Sequence, residues 1–412
     1  MACEHEYNRQ ITLDSSATET TSIPMKIIAI LIRFLYKLCC LFPQKNRVSF
    51  LSRQSEKPFD FQLLEPSLQR AFPHYEIVWA CEPAVYSESI GTMLKQIRLV
   101  ATSKICIVDG YVPAVSIPHS HRSYCVQLWH APGAIKKFGY QSLDTPAGRS
   151  SETAKVLRMH RGYDCIITGL ASATPYFAEA FDVTPQDISP IGLPRMEYLA
   201  NPKFAVKREQ AAEDLLCDLS LSQESIAEHT VILYAPTFRK NNSNPNWLSG
   251  AVGALSAALS EMNAILLVAS HPLQNEMKGN AVENAVEEPE RPESKETPVF
   301  YLGHHATSDA FPLADLVITD YSAVAFEGAI AGKPIAFYVP DIEEYRTNPG
   351  LNIDPLMELP EISFTDADAL AYAFEENSIS KSYFSSFARL DAVDATNISD
   401  KITNILKGHL ND

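Results

Sequence analysis

Residues 316–334 read LVITDYSAVAFEGAIAGKP, and this stretch predicts a strand, a tight turn, a helix and a stop. The β-rich run ends where Asp320 and Ser322 supply side chains of the type that caps helices. Gly332 and Pro334 then supply the residues that commonly end a helix. A buried strand that leads through a short turn into a helix is the unit from which parallel α/β sheets are built.

The start of this predicted helix is a candidate phosphate site. A helix N-terminus carries free backbone N–H groups and a partial positive charge, which together suit a pyrophosphate. Glu327 lies five residues inside the helix that we expect to begin at Ser322, and it is a candidate for contact with the ribose hydroxyls of a nucleotide. Helix capping without any ligand explains the same residues, so both interpretations stay open.

The same alternation of strand and helix patterns extends through most of the chain. Strand patterns in the second half occupy residues 231–235, 264–269, 299–302, 316–319 and 335–339. Strand patterns in the first half occupy residues 47–51, 75–81, 104–108, 124–128 and 164–168. The segments between them are long enough for crossover helices. We therefore predict an α/β fold with two Rossmann-like, doubly wound parallel sheets that face a cleft.

Changes in composition suggest where the parts of the chain begin and end. The expected parts are a disordered tail at 1–22, an amphipathic helix at 23–44, a first Rossmann-like domain at 45–205, a second at 206–380 and C-terminal helices at 381–412. Within the second domain, residues 274–298 are acidic and nearly free of large apolar side chains. We expect them to form an exposed insertion loop.

The first apolar segment carries three cations on one helical face. Residues 23–42 read IPMKIIAILIRFLYKLCCLF, and Lys26, Arg33 and Lys37 interrupt the apolar run. On an ideal helix these three fall within about 40° of one another. This pattern favours a helix that lies in the plane of a membrane surface. A packed core helix and a membrane-spanning helix are the alternatives, and a span would bury Arg33 near its centre, which is costly.

Composition excludes some classes of function. The chain has 412 residues with a formal net charge of −16, which argues against broad nucleic-acid binding. Its eight cysteines include no CxxC pair, which is typical of reduced thiols in a cytoplasmic protein. No Cys/His spacing typical of a metal site is present, so neither a metal nor another cofactor is expected.

Reactive side chains follow several of the predicted strands. His130 comes after the strand at 124–128, where an imidazole at the sheet edge can face the cleft as a general base. Lys136 and Lys137 follow on the same loop and are candidates for contact with phosphate or with an acceptor. A loop histidine with a purely structural role is the alternative for His130.

Two more strand ends carry polar residues in the second half. Thr237 and Arg239 follow the strand at 231–235, and they offer a hydroxyl and a guanidinium fork that match phosphate oxygens. His271 directly follows the strand at 264–269. A surface salt bridge would explain Arg239 equally well.

At these residues the sequence resembles a known family. The motifs are WHAPGAIKKFG (129–139), YAPTFR (234–239), the pair at 271–272, ITDYSAVAFE (318–327) and GKPIAFYVPDIEEY (332–345). They resemble the CDP-glycerol glycerophosphotransferases of Gram-positive bacteria, which are primases and polymerases of wall teichoic acid. The resemblance runs from about residue 47 to residue 345. It implies a GT-B-like fold with the acceptor in the first domain, the CDP-linked donor in the second, and C-terminal helices that cross back.

The resemblance also implies roles for individual residues. His130 and His271 correspond to a catalytic pair. The residues expected to contact CDP-glycerol are Thr237, Arg239, Thr319, Asp320, Tyr321, Ser322 and Glu327. Arg195 joins Lys136 and Lys137 as a candidate for phosphate or acceptor contact. Lys26, Arg33 and Lys37 are expected to hold the protein peripherally on the cytoplasmic side of the cell membrane.

The expected reaction needs no cofactor. His130 would remove a proton from a hydroxyl of a prenyl-diphosphate-linked glycan or polyol-phosphate acceptor, and that oxygen would attack the β-phosphorus of CDP-glycerol. The sequence departs from the family at Ala131, Ala323 and Glu327, and in the PRMEYL run from Pro194. CDP-ribitol as donor, a glycosyltransferase that uses a nucleotide sugar and a non-catalytic binding protein of the same fold therefore remain alternatives.

Overall fold

The computed structural model describes residues 22–53, 57–81, 89–237, 239, 246–269 and 297–411. His271, nearly all of the predicted insertion loop and the predicted disordered tail up to residue 21 lie outside the described residues. The predictions made for them stay predictions.

The first half of the chain builds a six-stranded, fully parallel sheet in the order β2-β1-β3-β4-β5-β6. Its strands are β1 Lys45–Ser52, β2 Glu76–Cys81, β3 Ser103–Val108, β4 Tyr124–Leu128, β5 Cys165–Ile167 and β6 Ile188–Ser189. Its helices are α1 Ser22–Cys39, α2 Phe59–Ala71, α3 Ser89–Thr102, α4 Pro113–Ser116, α5 Ser151–Val156, α6 Thr174–Phe181 and α7 Pro194–Ala200.

The second half builds another six-stranded parallel sheet in the order β12-β11-β10-β7-β8-β9. Its strands are β7 Thr230–Ala235, β8 Ala264–Val268, β9 Val299–Tyr301, β10 Leu316–Thr319, β11 Ile335–Tyr338 and β12 Ser363–Phe364. Helices of this half and of the C-terminus are α8 Ala205–Asp218, α9 Gln223–Ala227, α10 Trp247–Ala258, α11 Thr307–Ala310, α12 Val324–Ile330, α13 Ile342–Thr347, α14 Pro355–Glu358, α15 Ala367–Glu375, α16 Lys381–Phe387 and α17 Ile398–Asn411.

The predicted α/β class and both parallel sheets are confirmed. The central strands are mostly buried because helices cover both faces of a parallel sheet, and several of them are apolar over most of their length. In β8, for example, all five residues of AILLV are buried. Sequence patterns missed only the two short edge strands β6 and β12, which have two residues each and therefore too few positions to show a periodicity.

The C-terminal segment contacts both halves of the molecule. Helix α16 packs on α12 of the second half, whereas α17 packs on α2 and α7 of the first. Ile398 and Leu406 of α17 are fully buried. The carboxylate of Glu197 in α7 accepts hydrogen bonds from the backbone N–H and the hydroxyl of Ser399, each at 3.0 Å. The end of the chain thus ties the two Rossmann-like units together.

Helix α1 packs on the first half through one face only. Ala29, Ile32 and Tyr36 are buried, and the helix contacts α3 and α5. It ends at Cys39, five residues before the predicted end at 44, because the next turn tightens before Pro43. Arg122 closes this end by donating to the carbonyls of residues 40 and 42. None of the described helices is both long and apolar enough to cross a membrane.

Candidate active site

The strand orders locate two switch points. A switch point lies between two neighbouring strands whose following connections run toward opposite edges of the sheet. These two strands are β1 and β3 in the first sheet, and β7 and β10 in the second. Open α/β sheets bind ligands beyond the carboxyl ends of the strands at such points. The second sheet has the strand order of a classical dinucleotide-binding fold when it is numbered from β7. Residues just after these strands are therefore the first candidates for a site.

His130 lies just beyond β4, on an exposed loop at this edge of the first sheet. Its Nδ1 lies 2.8 Å from the backbone carbonyl oxygen of Asp109. Because a carbonyl only accepts, this contact places the proton of the neutral ring on Nδ1. Nε2 then keeps a free lone pair, as a general base requires. The ring of Trp129 packs beside the imidazole, with 4.3 Å between centroids.

Asp109 is a residue that the sequence interpretation missed. It follows β3 directly and is buried, and the hydroxyl of Ser52 at the end of β1 donates to its Oδ2 at 2.9 Å. Burial raises the pKa of the Asp109 carboxyl, while the nearby His130 opposes this effect. The rule that selected His130, a polar residue directly after a predicted strand, also selects Asp109.

Arg239 is held by carboxylates in the second half. Its Nη1 lies 2.7 Å from Oδ2 of Asp320, and its Nε lies 2.8 Å from Oδ2 of Asp341. Its guanidinium carbon lies 3.8 Å from the ring centroid of Trp247, and only 5% of the side chain is exposed. The sequence predicted a direct contact with donor phosphates. In this structure such a contact requires one of the two ion pairs to open.

Asp320, which was predicted to cap a helix, connects the loops that follow β7 and β10. Oδ1 of Asp320 accepts from the backbone N–H of Thr237 at 2.8 Å and from that of Tyr321 at 2.5 Å. The prediction that Asp320 caps the helix is wrong, because α12 begins at Val324, four residues later. Ser322 does accept a hydrogen bond from the N–H of Val324 at 3.3 Å. Asp320 thus joins the β7 and β10 loops while it pairs with Arg239.

Two further residues that were predicted to contact CDP-glycerol already use their hydroxyl groups in hydrogen bonds within the protein. Thr319 is fully buried, and its hydroxyl donates to the carbonyl of Ala235 at 2.6 Å. The Tyr321 hydroxyl donates to Asp341 at 3.0 Å, and its ring stacks on Tyr345 at 3.8 Å. By contrast, Oγ1 of Thr237 is buried and has no hydrogen-bond partner among the described residues. Thr237 is therefore the predicted donor residue whose hydroxyl forms no hydrogen bond within the described part of the chain.

Glu327 and Arg195, both predicted to touch substrate, bind each other across the two halves. Arg195 Nη1 lies 2.6 Å from Oε1 of Glu327, and its Nη2 lies 2.7 Å from Oδ2 of Asp60. All three side chains are mostly buried. This triad corrects the expectation that Glu327 extends toward a ribose and that Arg195 is free for a phosphate. It links α12 of the second half to α2 and α7 of the first.

The loop after His130 crosses to the second half. Lys136 forms an antiparallel bridge with Leu351, and the backbone N–H of Lys137 donates to the carbonyl of Gly350 at 2.9 Å. Burial lowers the pKa of Lys136, and Asp320 partly opposes this effect. Among the described residues no carboxylate forms an ion pair with Lys136. It is therefore a cation near the β10 loop that remains available to a phosphate.

A glycine makes this crossing possible. A Cβ on Gly133 would come within 2.5 Å of the ring of Phe326, a buried residue of α12. The backbone at Gly133 thus lies directly on the other half of the molecule. A side chain here would require either the Phe326 ring or the loop that carries His130 and Lys136 to shift.

The sequence can now be compared with known proteins. A family model described as CDP-glycerol:poly(glycerophosphate) glycerophosphotransferase matches residues 34–404. The chain belongs to this family. The match spans both parallel sheets and the first half of α17, so it covers every residue of the candidate site.

Curated members of the glycerophosphotransferase family are distant in sequence. The teichoic acid ribitol-phosphate primase of Bacillus spizizenii is 29% identical over 249 residues, which cover 60% of this chain and 59% of that protein. The teichoic acid glycerol-phosphate primase of Bacillus subtilis is 27% identical over 280 residues, which cover 68% of this chain and 66% of that protein. The matched part thus spans less than two thirds of either relative.

A solved structure of the family shares the fold. A variant of the wall teichoic acid polymerase TagF soaked with CDPG superimposes with a TM-score of 0.68 at 19% identity, covering 96% of this chain and 99% of that one. TagF without a soak gives a TM-score of 0.67 at 18% identity. The likeness covers both Rossmann-like units and confirms the GT-B-like architecture.

Proposed function

We propose that this protein transfers glycerol phosphate from CDP-glycerol to a hydroxyl of a membrane-linked acceptor and releases CMP. The observation that carries the proposal is the hydrogen bond from Nδ1 of His130 to the Asp109 carbonyl, which leaves Nε2 of an exposed imidazole free at a sheet edge. Membership of the glycerophosphotransferase family supports the choice of chemistry.

The proposed reaction is an in-line displacement at phosphorus. Nε2 of His130 takes the proton of the acceptor hydroxyl, and that oxygen attacks the β-phosphorus of CDP-glycerol. The bond from this phosphorus to the bridging oxygen breaks, and CMP leaves with the electron pair. Phosphoryl transfer depends mainly on positioning and on neutralising charge. The residues that position the donor phosphates and neutralise their charge are therefore expected to contribute more to the rate than the general base does.

We assign the donor to the second half of the molecule. Lys136 and the Thr237 hydroxyl are the described groups available to donor phosphates, and His271 is proposed to stabilise the leaving phosphate. Arg239, Asp320 and Tyr321 shape this side of the site through their mutual bonds. The other predicted donor residues, Thr319, Ser322 and Glu327, are proposed to support the same loops rather than to bind the nucleotide directly.

The acceptor is proposed to come from the cytoplasmic face of the membrane. The side of α1 that faces away from the first sheet exposes a row of large apolar side chains: Ile27, Ile30, Leu31, Phe34 and Leu38. On an ideal helix Lys26, Arg33 and Lys37 fall between this row and the buried face. This arrangement supports a helix that lies in the membrane interface. Lys37 is the cation best placed for the headgroups, because Arg33 donates to the Ile117 carbonyl at 3.1 Å and Lys26 lies 3.8 Å from Glu152.

Substituting the exposed face of α1 should release the protein from membranes. We expect the triple variant Ile30→Ser, Phe34→Ser and Leu38→Ser to bind anionic vesicles at least a hundredfold more weakly, because it removes three apolar groups worth about 1.5–3 kcal/mol each when fully buried. Vesicle sedimentation measures this directly. These side chains are 62%, 57% and 43% exposed, so the fold should persist. Deleting 1–44 would instead uncover the core beneath Ile32 and Tyr36.

The matched control is a triple variant on the second half. Val206, Met357 and Tyr372 are at least as exposed, and their replacement by serine should leave vesicle binding unchanged. Lys37→Glu should reduce binding at low salt more than at high salt. If the α1 variant sediments with vesicles as well as the parent does, membrane attachment does not use this face.

The proposed donor can be tested against its alternatives with purified protein. CMP release is measured with CDP-glycerol and CDP-ribitol, and nucleoside diphosphate release with nucleotide sugars, each with a panel of prenyl-diphosphate-linked glycans and polyol phosphates. We expect CMP release with CDP-glycerol in the presence of acceptor. CMP release only with CDP-ribitol would identify a ribitolphosphotransferase. Transfer only from a nucleotide sugar would identify a glycosyltransferase and would overturn the proposal.

A further inference from the structure

Two adjacent histidines and an aspartate meet on the outer side of the second half. His304 and His305 lie in the turn between β9 and α11, and Asp218 is the last residue of α8. Nε2 of His305 lies 2.9 Å from Oδ2 of Asp218, and Nε2 of His304 lies 3.7 Å from the same oxygen. Potential ligand atoms of the three side chains lie within 4.8 Å of one another.

A simple hydrogen bond does not explain the whole cluster. The contact of His305 with Asp218 satisfies that pair by itself. His304 is too far from the carboxylate for a hydrogen bond, and its side chain is 82% exposed. Its ring nevertheless stacks on that of His305, with 4.4 Å between centroids, so both Nε2 atoms lie near one carboxylate oxygen. Two imidazoles and a carboxylate in this arrangement form an open, three-ligand set.

A fourth side chain, that of Asp309, lies on the Nδ1 side of the His305 ring but beyond hydrogen-bond distance in this structure. Nδ1 of His305 lies 3.9 Å from Oδ2 of Asp309, and that carboxylate is fixed by the backbone N–H of Ala306 at 2.9 Å. When Nε2 of a histidine binds a metal, its proton must reside on Nδ1, and a carboxylate near Nδ1 stabilises that tautomer. Asp309 stands where such a carboxylate is needed. The His305 side chain is only 10% exposed, which limits its freedom to rotate away.

We propose that Asp218, His304 and His305 bind a divalent transition metal ion, with Zn²⁺ as the preferred ion. Zinc in proteins takes imidazole nitrogens at about 2.0–2.1 Å and carboxylate oxygens at about 2.0–2.2 Å, usually in a tetrahedron. His304 is the ligand that must move most on binding, and its 82% exposed ring is free of the packing that would prevent this. Water completes the shell. Calcium and magnesium are disfavoured because they prefer oxygen ligands.

This site lies outside the proposed catalytic cleft and does not depend on the proposed transfer reaction. Its ligands join the end of α8 to the turn that precedes α11, and these two helices already pack together. A bound metal would therefore stabilise the outer edge of the second half. Sequence spacing could not reveal the site, because Asp218 and His305 are 87 residues apart.

Calorimetric titration of the full, chelator-treated protein with Zn²⁺ tests the site. We expect one equivalent to bind with a Kd in the micromolar range, and His305→Ala and Asp218→Asn to weaken binding at least tenfold. His304→Ala should weaken it similarly, and this exposed position leaves the fold intact. Because the chain contains eleven histidines and eight cysteines, His74→Ala, at an exposed site in the first half, is the matched control. That variant should bind like the parent.

Two further measurements make the result independent of any one variant. Co²⁺ should give the visible absorption of a low-symmetry, nitrogen- and oxygen-ligated site in the parent and lose it in His304→Ala. Zn²⁺ should raise the thermal midpoint of the parent more than that of His304→Ala, because a ligand of the native state stabilises it. The proposal fails if the parent binds no Zn²⁺ at about 100 µM, or if all three cluster variants bind it like the parent.

Discussion

His130→Ala is expected to slow donor turnover by about 10²–10⁴-fold while CDP-glycerol affinity stays nearly unchanged. The reason is the placement of the ring. Its Nδ1 is anchored on the Asp109 carbonyl, and Nε2 is left free on the first half of the molecule, where the acceptor is proposed to bind. A base that contacts the acceptor affects the chemical step and not the ground-state binding of the donor.

Turnover is measured by CMP release and donor affinity by calorimetry on the same preparations. His74→Ala is the matched control because this histidine is also exposed in the first half, but it lies between α2 and β2. It should leave both quantities at the parent level. If His130→Ala keeps near-parent turnover, or loses donor affinity, His130 is not the base. The mechanism must then be rebuilt around His271.

The strands were predictable because their signal is local. A parallel strand that helices cover on both faces is mostly apolar, so runs such as VILYA and AILLV can be recognised within five residues. The order of the strands in each sheet was not predictable in the same way. It depends on the direction in which each crossover connection leaves, which no short window of sequence contains.

The sequence predicted where in the fold the site lies, but it did not predict which side chains bond to each other there. Residues that follow strands do gather at the switch points: Thr237 and Asp320 follow β7 and β10, and His130, which follows β4, bonds to the carbonyl of Asp109 after β3. Which of them are free to bind a ligand depends on partners far away in the chain. Arg239 pairs with Asp341, 102 residues later, and Arg195 pairs with Glu327, 132 residues later. Sequence patterns assigned both arginines to phosphate because their carboxylate partners are visible only in the fold.

Whether an arginine is buried between carboxylates or free at the surface decides whether it can be interpreted as a phosphate ligand. A surface arginine with no partner is free to bind a phosphate. The charge of a buried arginine between two carboxylates is already neutralised. Lys136 shows the opposite case, since it approaches Asp320 without an ion pair among the described residues. The positive charge available to donor phosphates is therefore better sought at Lys136 than the sequence motifs alone indicated.

Arg239→Ala is expected to lower the free energy of unfolding by about 3–5 kcal/mol and to weaken donor binding. Removing the guanidinium leaves Asp320, which is fully buried, and Asp341 without their cation. The loop at Thr237 also loses a bond, because Arg239 donates to its carbonyl at 2.7 Å. Chemical denaturation measures the stability. Arg70→Ala, which breaks an exposed pair with Asp400, is the control and should cost no more than about 1 kcal/mol.

A second variant separates the structural role of Arg239 from a role in binding. Arg239→Gln combined with Asp320→Asn removes the cation and its fully buried carboxylate partner together, so the uncompensated buried charge disappears and much of the stability should return. If Arg239 also contacts a donor phosphate when one of its pairs opens, donor affinity measured by calorimetry will stay low in this stable double variant. If affinity returns together with stability, Arg239 acts only by holding the Thr237 and Asp320 loops in place. The predicted phosphate contact would then be wrong.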